Sequence, residues 1–258
     1  MKPCIIALTG KGGVGKTSLA ALFVRILQEE HPDKKILAID ADPAVGLSTA
    51  LGVEVSSTVD DIRKLFVEHA EEGDSKAALE VLSEAKYQID DALVKKDGLS
   101  FLAIGRPEAS GCYCKVNAYL KEVIRLVCDH FDYVVIDGEA GIEQVNRRVM
   151  EEIQHLVLVS DASRKGLEVA RTIEKVAKSL TMSETFGLII NRLPKHISLD
   201  YLDLHDLDLL AVIGDDETMT QSDMRGDSIF LLPKTSPIYH GAYQALIHLR
   251  LVERKESV

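Results

Sequence analysis

The sequence predicts an α/β fold, in which helices cover both faces of a mostly parallel, twisted sheet of about seven to eight strands. Short apolar runs of strand length alternate with longer amphipathic segments, which is typical of β–α–β units. A glycine-rich loop joins the first apolar run to the first amphipathic segment. Because no internal repeat or linker interrupts the 258 residues, we expect one domain that spans residues 1–258.

The strands and helices follow from the apolar periodicity. The predicted strands are Ile5–Leu8, Ile36–Ile39, Leu99–Ile104, Tyr133–Ile136, Leu156–Val159, Phe186–Ile190 and Leu209–Val212. The predicted helices are Lys16–Glu29, Val116–Asp129, Arg164–Leu180 and Tyr239–Leu251. Residues 56–95 are rich in Glu, Asp, Lys and Ala, and we expect them to form solvated helices inserted before the Leu99 strand. Such surface helices require no function, and none is assigned to them.

The composition limits the classes of partner. The formal net charge is −11, whereas nonspecific binding to DNA or to anionic membranes depends on basic patches. We therefore expect neither a nucleic-acid nor a membrane partner. A strand begins almost at the N-terminus, which leaves no room for a signal peptide, and no apolar run approaches the length of a membrane span. The expected location is the cytoplasm.

The glycine-rich loop, Gly10–Thr17, fits the phosphate-binding pattern G-x-x-x-x-G-K-[ST] in the strand–helix context that the pattern requires. Its glycines let successive backbone N–H groups point at phosphate oxygens, and the following helix adds the positive end of its dipole. Lys16 would reach the β- and γ-phosphates, and the Thr17 hydroxyl would bind Mg²⁺. The loop therefore predicts a nucleoside triphosphate site.

A second lysine, Lys11, follows the first glycine, although the simple pattern does not require it. The run Lys-Gly-Gly-Val-Gly-Lys-Thr resembles the deviant P-loop of the MinD/ParA/nitrogenase-iron-protein class of ATPases. The resemblance implies a homodimer that closes over two nucleotides, with Lys11 reaching the partner's nucleotide and Lys16 as a second catalytic lysine. The alternative for Lys11 is a solvated loop lysine. The implied nucleotide contacts are Gly12, Gly13, Val14, Gly15, Lys16, Thr17 and Ser18.

Two carboxylates follow the second predicted strand, in the run Asp40-Ala41-Asp42-Pro43. Ligands bind at the carboxyl ends of the strands in doubly wound sheets. The resemblance places switch I here and implies that Asp42, a third catalytic residue, orients or deprotonates the attacking water. It also implies that Asp40 is a supporting charge near Mg²⁺. The alternative for both is an acidic turn closed by proline.

The strand Tyr133–Ile136 is apolar up to Asp137, which is the Walker B arrangement. This carboxylate can hold Mg²⁺, usually through water, because the ion gives up its hydration shell reluctantly. The D-x-x-x-G spacing from Asp137 to Gly141 resembles switch II, in which the Gly141 amide would contact the γ-phosphate and move when it leaves. The predicted Mg²⁺ residues are therefore Thr17, Asp40 and Asp137.

Asn191 and Arg192 follow an apolar strand and resemble the strand end that recognises adenine in this class of ATPase. An asparagine side chain offers both the donor and the acceptor that adenine requires. We therefore expect Asn191 to carry a preference for ATP over GTP and Arg192 to contact the nucleotide. The alternative for Asn191 is a turn former. The segment from Pro233 to Pro237 occupies the second base-contacting loop of the class.

Two of the four cysteines, Cys112 and Cys114, lie in the polar loop 106–114, whereas Cys4 and Cys128 lie in apolar settings typical of core packing. In an extended segment, residues two apart face the same way and are separated by about 6.6 Å. Two thiolates leave a tetrahedral ion half-coordinated, and a two-fold dimer supplies four. Such a site suits Zn²⁺, Ni²⁺ or an iron–sulfur cluster. Idle thiols or a redox disulfide are the alternatives.

The deviant P-loop, the run Gly-Cys-Tyr-Cys and the run Asp-Gly-Glu-Ala-Gly-Ile-Glu together resemble the CooC-type nickel-insertion ATPases. That family serves the maturation of carbon monoxide dehydrogenase and the related acetyl-CoA synthase. The resemblance implies an ATPase whose Cys112 and Cys114 bind Ni²⁺, or Zn²⁺, at the interface of a homodimer, for delivery to such a client enzyme. Two other functions stay open: a positioning or partition ATPase of the MinD/ParA type, and an iron–sulfur reductase component.

Overall fold

A computed structural model describes residues 2–42, 46–71, 84–85, 87–105, 114–138, 153–179, 183–204 and 207–254, with the backbone alone for 66–71 and 114–119. The strands are β1 (Cys4–Gly10), β2 (Ile36–Asp40), β3 (Val94–Lys96), β4 (Leu99–Ala103), β5 (Tyr133–Asp137), β6 (Ile153–Ser160), β7 (Ser183–Leu193) and β8 (Leu209–Gly214). The helices are α1 (Lys16–Glu30), α2 (Gly46–Leu51), α3 (Val59–Glu71), α4 (Cys114–Cys128), α5 (Arg164–Ser179), α6 (Glu217–Arg225) and α7 (Pro237–His248). Short 3-10 helices span Leu199–Tyr201 and Ile229–Leu231. Within these ranges, no helix is both long enough and apolar enough to span a bilayer.

The described strands form one eight-stranded sheet with the order β3-β4-β2-β5-β1-β6-β7-β8. Every neighbouring pair is parallel except β3 and β4, which are antiparallel. The predicted α/β fold with a mostly parallel sheet of seven to eight strands is confirmed. Each of the seven predicted strands overlaps an observed one, and the four predicted helices overlap α1, α4, α5 and α7.

The sheet is buried on both faces, which explains why its strands read as continuous apolar runs. Ile5 and Ala7 pack on the face covered by α4 and α5, whereas Ile6 and Leu8 pack on the face covered by α1 and α7. Successive residues of a strand point to opposite faces, so a strand between two helical layers needs apolar side chains at every position. The ligand-binding edge of the sheet is therefore left to the residues at the strand ends.

The structure differs from the sequence-based expectation most clearly between β2 and β4. The described part of the 56–95 segment is helical over α3 and over residues 87–92, but these helices are not solvated on every side. Val59, Ile62 and Ile89 are buried in the core. Asp60 accepts a hydrogen bond from the Arg63 guanidinium at 2.7 Å, and both side chains are buried. The charges that suggested a solvated surface are thus partly neutralised by pairing within the helix.

Helix α1, which follows the glycine-rich loop, is attached to the C-terminal part of the chain by Arg25. The buried Arg25 guanidinium donates to the backbone carbonyls of Ile229 and Leu232, both at 2.7 Å. It also lies 5.1 Å from the centre of the Tyr239 ring and pairs with Glu29. Hydrogen bonds from a charged donor are stronger than neutral ones, so this side chain fixes α1 against the segment that precedes α7.

Candidate nucleotide site

The glycine-rich loop crosses from β1 to α1 at the carboxyl edge of the sheet, and its glycines have backbone angles that other residues rarely adopt. Gly13 and Gly15 have φ values of 77° and 92°, and Gly15 caps the N-terminus of α1. A Cβ atom on Gly10 would lie 2.0 Å from the carbonyl oxygen of Val159 on the neighbouring strand β6. The loop can therefore start only because the first position carries no side chain.

Two side chains at the end of β7 hold the loop from behind. Asn191 is 2% exposed, and its Nδ2 donates to the Val14 carbonyl at 2.8 Å. Arg192, with φ of 58°, donates through Nη1 to the Gly13 carbonyl at 3.0 Å. Because the N–H of the same peptide unit points away from its carbonyl, these bonds direct loop amides toward the opposite side. That orientation is the one in which successive amides bind an anion.

The two lysines of the loop are linked by a hydrogen bond from the Lys16 side chain to the Lys11 backbone. Lys16 is only 7% exposed, and its Nζ donates to the Lys11 carbonyl oxygen at 3.2 Å. The Nζ of Lys11 donates to Oδ2 of Asp161, the residue that follows β6, at 3.0 Å. The structure therefore brings the two predicted catalytic lysines close together. It also places beside them Asp161, a carboxylate that the sequence analysis did not select.

Asp137 and Asp40 end two neighbouring strands and are paired in register across β5 and β2. Asp137 is 1% exposed, and among the described residues neither of its carboxylate oxygens has a hydrogen bond of normal geometry. Burial, together with the charge of Asp40, raises the pKa of Asp137 to about 7, although the nearby Thr17 hydroxyl lowers it. A buried carboxylate that lies beside a hydroxyl and lacks a well-formed hydrogen bond fits the predicted Mg²⁺ site at Thr17 and Asp137.

Asp40 is fully buried, and both of its carboxylate oxygens accept backbone N–H groups. Oδ1 accepts from Asp42 at 3.1 Å, and Oδ2 accepts from Leu47 in α2 at 2.9 Å. Burial raises the pKa of Asp40 to about 6, although the Leu47 and Asp42 amides lower it. Asp40 thus fixes the backbone of Asp42 relative to the sheet. Its predicted contact with Mg²⁺ and the predicted catalytic role of Asp42 stay predictions.

A cavity of about 520 Å³ opens beside the loop, between Gly15, Ser18 and Asn191 on one side and α6 on the other. Asp216 shapes the far wall. Its Oδ1 accepts from the Met219 amide and its Oδ2 from the Ile238 amide, both at 3.0 Å, and Oδ2 also accepts from the Ser236 hydroxyl. One carboxylate therefore caps α6, holds the first turn of α7 and ties the predicted base-contacting loop to the cavity.

Part of the predicted site lies outside the described residues. Gly141 and Cys112 are not described, and Cys114 is described only as the backbone at the start of α4. In the part of the chain that the structure describes, no group of three or more His, Cys, Asp or Glu side chains could hold a metal ion. Burial raises the pKa of Cys4 to about 11 and that of Cys128 to about 12, so both stay thiols near neutral pH.

The sequence analysis missed two residues of this site, Asp161 and Asp216. Each follows a parallel strand directly or within two residues, at the edge where Asp42 and Asp137 also lie. The rule that ligands bind at the carboxyl ends of such strands therefore applied to them as well. Their partners could not be inferred, because Lys11 and Asp161 are 150 residues apart in the sequence.

Comparisons with known proteins agree with this geometry. Residues 5–229 match the family CbiA, the CobQ/CobB/MinD/ParA nucleotide binding domain. An uncharacterized ATP-binding protein of Methanocaldococcus jannaschii is 34% identical over 91% of this chain and 94% of its own length. The carbon monoxide dehydrogenase accessory protein CooC of Rhodospirillum rubrum is 31% identical over 94% of this chain and 95% of its own length.

The solved structures include the septum site-determining protein MinD of Pyrococcus horikoshii in complex with Mg-ADP. It has a TM-score of 0.68 and 24% identity, with 96% of each chain covered. That likeness concerns the fold, whereas the family match spans most of the chain and includes the glycine-rich loop, Asp137 and Asn191. The chain is therefore an ATPase that belongs to the CobQ/CobB/MinD/ParA family of nucleotide-binding proteins.

Proposed function

We propose that this ATPase is a nickel-insertion metallochaperone for carbon monoxide dehydrogenase or acetyl-CoA synthase, and that it acts in the cytoplasm. The observation that carries the proposal is the similarity to CooC over nearly the whole of both chains. The sequence run with Cys112 and Cys114 adds a pair of soft ligands suited to such cargo. The protein would carry the ion as its substrate and use ATP to control when the ion is held.

In the proposed ATP site, the described residues have separate tasks. Loop amides and the N-terminus of α1 would bind the phosphates, and Lys16 would leave the Lys11 carbonyl to contact the β- and γ-phosphates. Thr17 and Asp137 would hold Mg²⁺, which when bound supplies positive charge to the phosphate oxygens. Asp42, held by Asp40, would orient or deprotonate the attacking water. The adenine would enter the cavity beside Asn191.

The segment with Cys112 and Cys114 follows a strand that ends beside the proposed nucleotide site. Strand β4 is parallel to β2, and its last residue Ala103 is in register with Asp40. The chain therefore leaves β4 at the same edge at which Asp40 and Asp137 lie, and Cys112 and Cys114 follow within eleven residues of that exit. This short connection supports a coupling between nucleotide occupancy and the position of the metal ligands.

In the proposed cycle, ATP favours a closed homodimer in which Lys11 of each subunit reaches the nucleotide of the other. The two pairs of Cys112 and Cys114 then complete one four-thiolate site across the two-fold axis. Hydrolysis changes the dimer geometry and releases the ion to the client. The scheme requires that ATP binds the closed dimer more tightly than the open form, because a ligand shifts an equilibrium only through such a difference.

The test is metal analysis of size-separated monomer and dimer, loaded with Ni²⁺ without nucleotide, with ADP and with a non-hydrolysable ATP analogue. We expect one Ni²⁺ for each dimer and none in the Cys112→Ser/Cys114→Ser variant. Affinity should fall as the pH is lowered, because the thiols bind as thiolates. The Cys4→Ala variant is the matched control and should keep the metal. A double-serine variant that retains stoichiometric nickel in the dimer would rule out this site.

A positioning or partition ATPase is the second candidate, because the family match covers MinD and ParA equally. Proteins of that kind act on a membrane or on DNA. Co-sedimentation with anionic liposomes and with DNA, at physiological salt and with ATP, separates the two candidates. ATP-dependent binding to either surface by the metal-free protein would favour this second function over nickel delivery.

A further inference from the structure

A carboxylate near the C-terminal end of α1, that of Glu29, interacts with three other side chains. Its Oε1 accepts from Arg25 Nε at 2.9 Å, and its Oε2 accepts from the Tyr239 hydroxyl at 2.7 Å. The Nζ of Lys234 lies 2.8 Å from the same Oε2. Although burial opposes it, the bonds from Lys234, Tyr239 and Arg25 lower the pKa of Glu29. Glu29 is therefore ionised at neutral pH and joins two cations to a tyrosine hydroxyl.

Two of these partners belong to the segment that leads into α7. Lys234 lies in the predicted base-contacting loop, Pro233–Pro237, and Tyr239 lies in the first turn of α7. The centre of the Tyr239 ring is 5.1 Å from Arg25 Cζ and 5.9 Å from Lys234 Nζ, so both cations also contact the ring. The last turns of α1 thus hold the start of this loop.

The later part of the same loop is attached to the end of β8. Ser236 is 3% exposed, and its hydroxyl donates to Oδ2 of Asp216, which also accepts the Ile238 amide at 3.0 Å. Ile238 lines the cavity beside the glycine-rich loop, as does Gly15. The path of the loop past the cavity therefore depends on two attachments, one at Lys234 and one at Ser236.

Helix α1 connects the attachment at Lys234 to the phosphate-binding loop. The helix begins at Lys16 and ends at Glu30. At a rise of about 1.5 Å per residue, Glu29 lies about 20 Å along the helix from its phosphate end. One continuous helix therefore fixes the distance between the phosphate loop and the point at which the base-contacting loop is held.

We propose that Glu29 is a positioning residue for the base of the nucleotide. It holds the loop Pro233–Pro237 on α1 through Lys234, and so keeps the base cavity at the correct distance from the phosphates. The inference rests on the proposed function in one respect, since it assumes that the adenine enters the cavity beside Asn191. Because Glu29 acts through the loop, its loss should weaken ligands that carry a base and leave purely phosphate ligands unaffected.

The expected size of the effect follows from the exposure of the ion pair. The side chains of Glu29 and Lys234 are 27% and 61% exposed. A pair of this exposure contributes about two- to fivefold to an equilibrium constant. A weaker attachment lowers the fraction of molecules whose loop is in the binding position, and the apparent affinity falls with that fraction. Glu29→Gln should therefore weaken ADP binding by about two- to fivefold.

The experiment is calorimetric titration of the full chain with ADP and with inorganic pyrophosphate, both in the presence of Mg²⁺. We expect Glu29→Gln and Lys234→Met each to weaken ADP and to leave pyrophosphate unchanged. The double variant should lose no more than either single variant, because the two residues act as one pair. Lys234→Arg, which restores a cation, should recover the affinity for ADP.

Glu30→Gln is the matched control, since it removes the same charge from the next position of α1. It should leave both dissociation constants unchanged. The thermal unfolding midpoint of every variant is measured without ligand, so that a loss of folded protein is not mistaken for a loss of affinity. If Glu29→Gln does not fold, Lys234→Met provides the same test from the more exposed side of the pair.

The outcomes separate this inference from the proposed function. If Glu29→Gln and Lys234→Met bind ADP as tightly as the wild type, the positioning role of Glu29 is wrong and the proposed function is unaffected. Equal losses for ADP and pyrophosphate would also refute it, because the effect would then lie on the phosphate side. If the wild type binds ADP no more tightly than pyrophosphate, the base adds no affinity, and the proposed position of the adenine is wrong as well. Retention of nickel by Cys112→Ser/Cys114→Ser would refute nickel delivery and leave the role of Glu29 intact.

Discussion

The side-chain amide of Asn191 donates to the backbone carbonyl of Val14 over 2.8 Å and thereby joins the end of β7 to the middle of the glycine-rich loop. The side-chain oxygen of the same residue accepts the Arg192 amide at 3.0 Å. A Cβ on Gly15 would lie 2.5 Å from the Asn191 nitrogen, so the loop and this side chain are in close contact. Asn191 therefore acts on the shape of the loop, in addition to any contact with the base.

The Asn191→Asp variant tests this contact. A carboxylate cannot donate to the Val14 carbonyl. The Val14 oxygen would therefore lose its partner, at a cost of about 1–3 kcal/mol in the free energy of unfolding. We expect weaker binding of both ATP and GTP, with the larger loss for ATP if the side chain also reads adenine. Chemical denaturation and nucleotide titration measure the two effects. Arg192→Ala, which removes a more exposed bond to the same loop, should cost less stability.

Alanine substitutions of two glycines in the loop should differ sharply in their effect on stability. Gly10→Ala places a Cβ 2.0 Å from the Val159 carbonyl, so β1 and β6 must separate, and we expect a loss of more than about 3 kcal/mol. Gly12→Ala meets no atom within 4 Å and should unfold at the wild-type denaturant midpoint. Any effect of Gly12→Ala should appear in nucleotide affinity alone. Equal midpoints for the two variants would show that the strand spacing is not limiting.

Stability of the metal-free protein should decrease as the pH rises from about 4 to about 7. The pKa of Asp137 is about 7 in the folded state against an ordinary value of 3.8, because burial disfavours the charged form. The folded state therefore binds a proton that the unfolded state has released, and its advantage is lost as the pH rises. Asp40, with a pKa of about 6, contributes in the same direction over the lower part of this range.

The Asp137→Asn variant isolates the contribution of one carboxylate to that profile. Its stability advantage over the wild type should be small near pH 4 and should grow by about 2–4 kcal/mol between pH 4 and pH 8, in the presence of a chelator. Mg²⁺ with ADP should reduce this difference, because a bound cation favours the ionised carboxylate. Denaturant unfolding at several pH values measures it. A wild type whose stability does not change between pH 5 and pH 8 contradicts the assignment.

Asp216 should stabilise two helices at once. Asp216→Ala removes the acceptor for the Met219 amide and for the Ile238 amide, and each lost cap costs about 1 kcal/mol. We expect a loss of about 2 kcal/mol in the free energy of unfolding, together with weaker ATP binding, because both helices border the cavity. Asp215→Ala, at the exposed neighbouring position, is the control for removal of charge. A loss no larger than that of the control would refute the double role.

The sequence predicted the strands of the central sheet well, because strands buried on both faces are continuous apolar runs. It did not predict β3, whose three residues Val94–Lys96 include two lysines and pair only with β4 at the edge. Helices α2 and α6 were also missed, since α2 has six residues and α6 presents a mostly polar surface. Short or polar elements of this kind are specified by tertiary contacts more than by periodicity.

The site was predictable where a motif fixes the local backbone, as at Gly10–Thr17, and less so where function depends on contacts between distant segments. The position of Asp137 at the end of an apolar strand followed from the sequence. The contacts of Lys11 with Asp161 and of Asn191 with Val14 did not, because each joins residues about 150 to 180 positions apart. Such pairings depend on the order of strands in the sheet, which periodicity does not reveal.

The attachment of α1 through Arg25 has a practical consequence for comparing liganded states. A helix whose guanidinium is bonded to the carbonyls of Ile229 and Leu232 cannot slide along its axis without breaking charged hydrogen bonds in a buried place. Superposition of crystal forms on α1 and α7 should therefore give a common reference frame. Displacements measured in that frame would report how far the glycine-rich loop and Lys11 differ between liganded states.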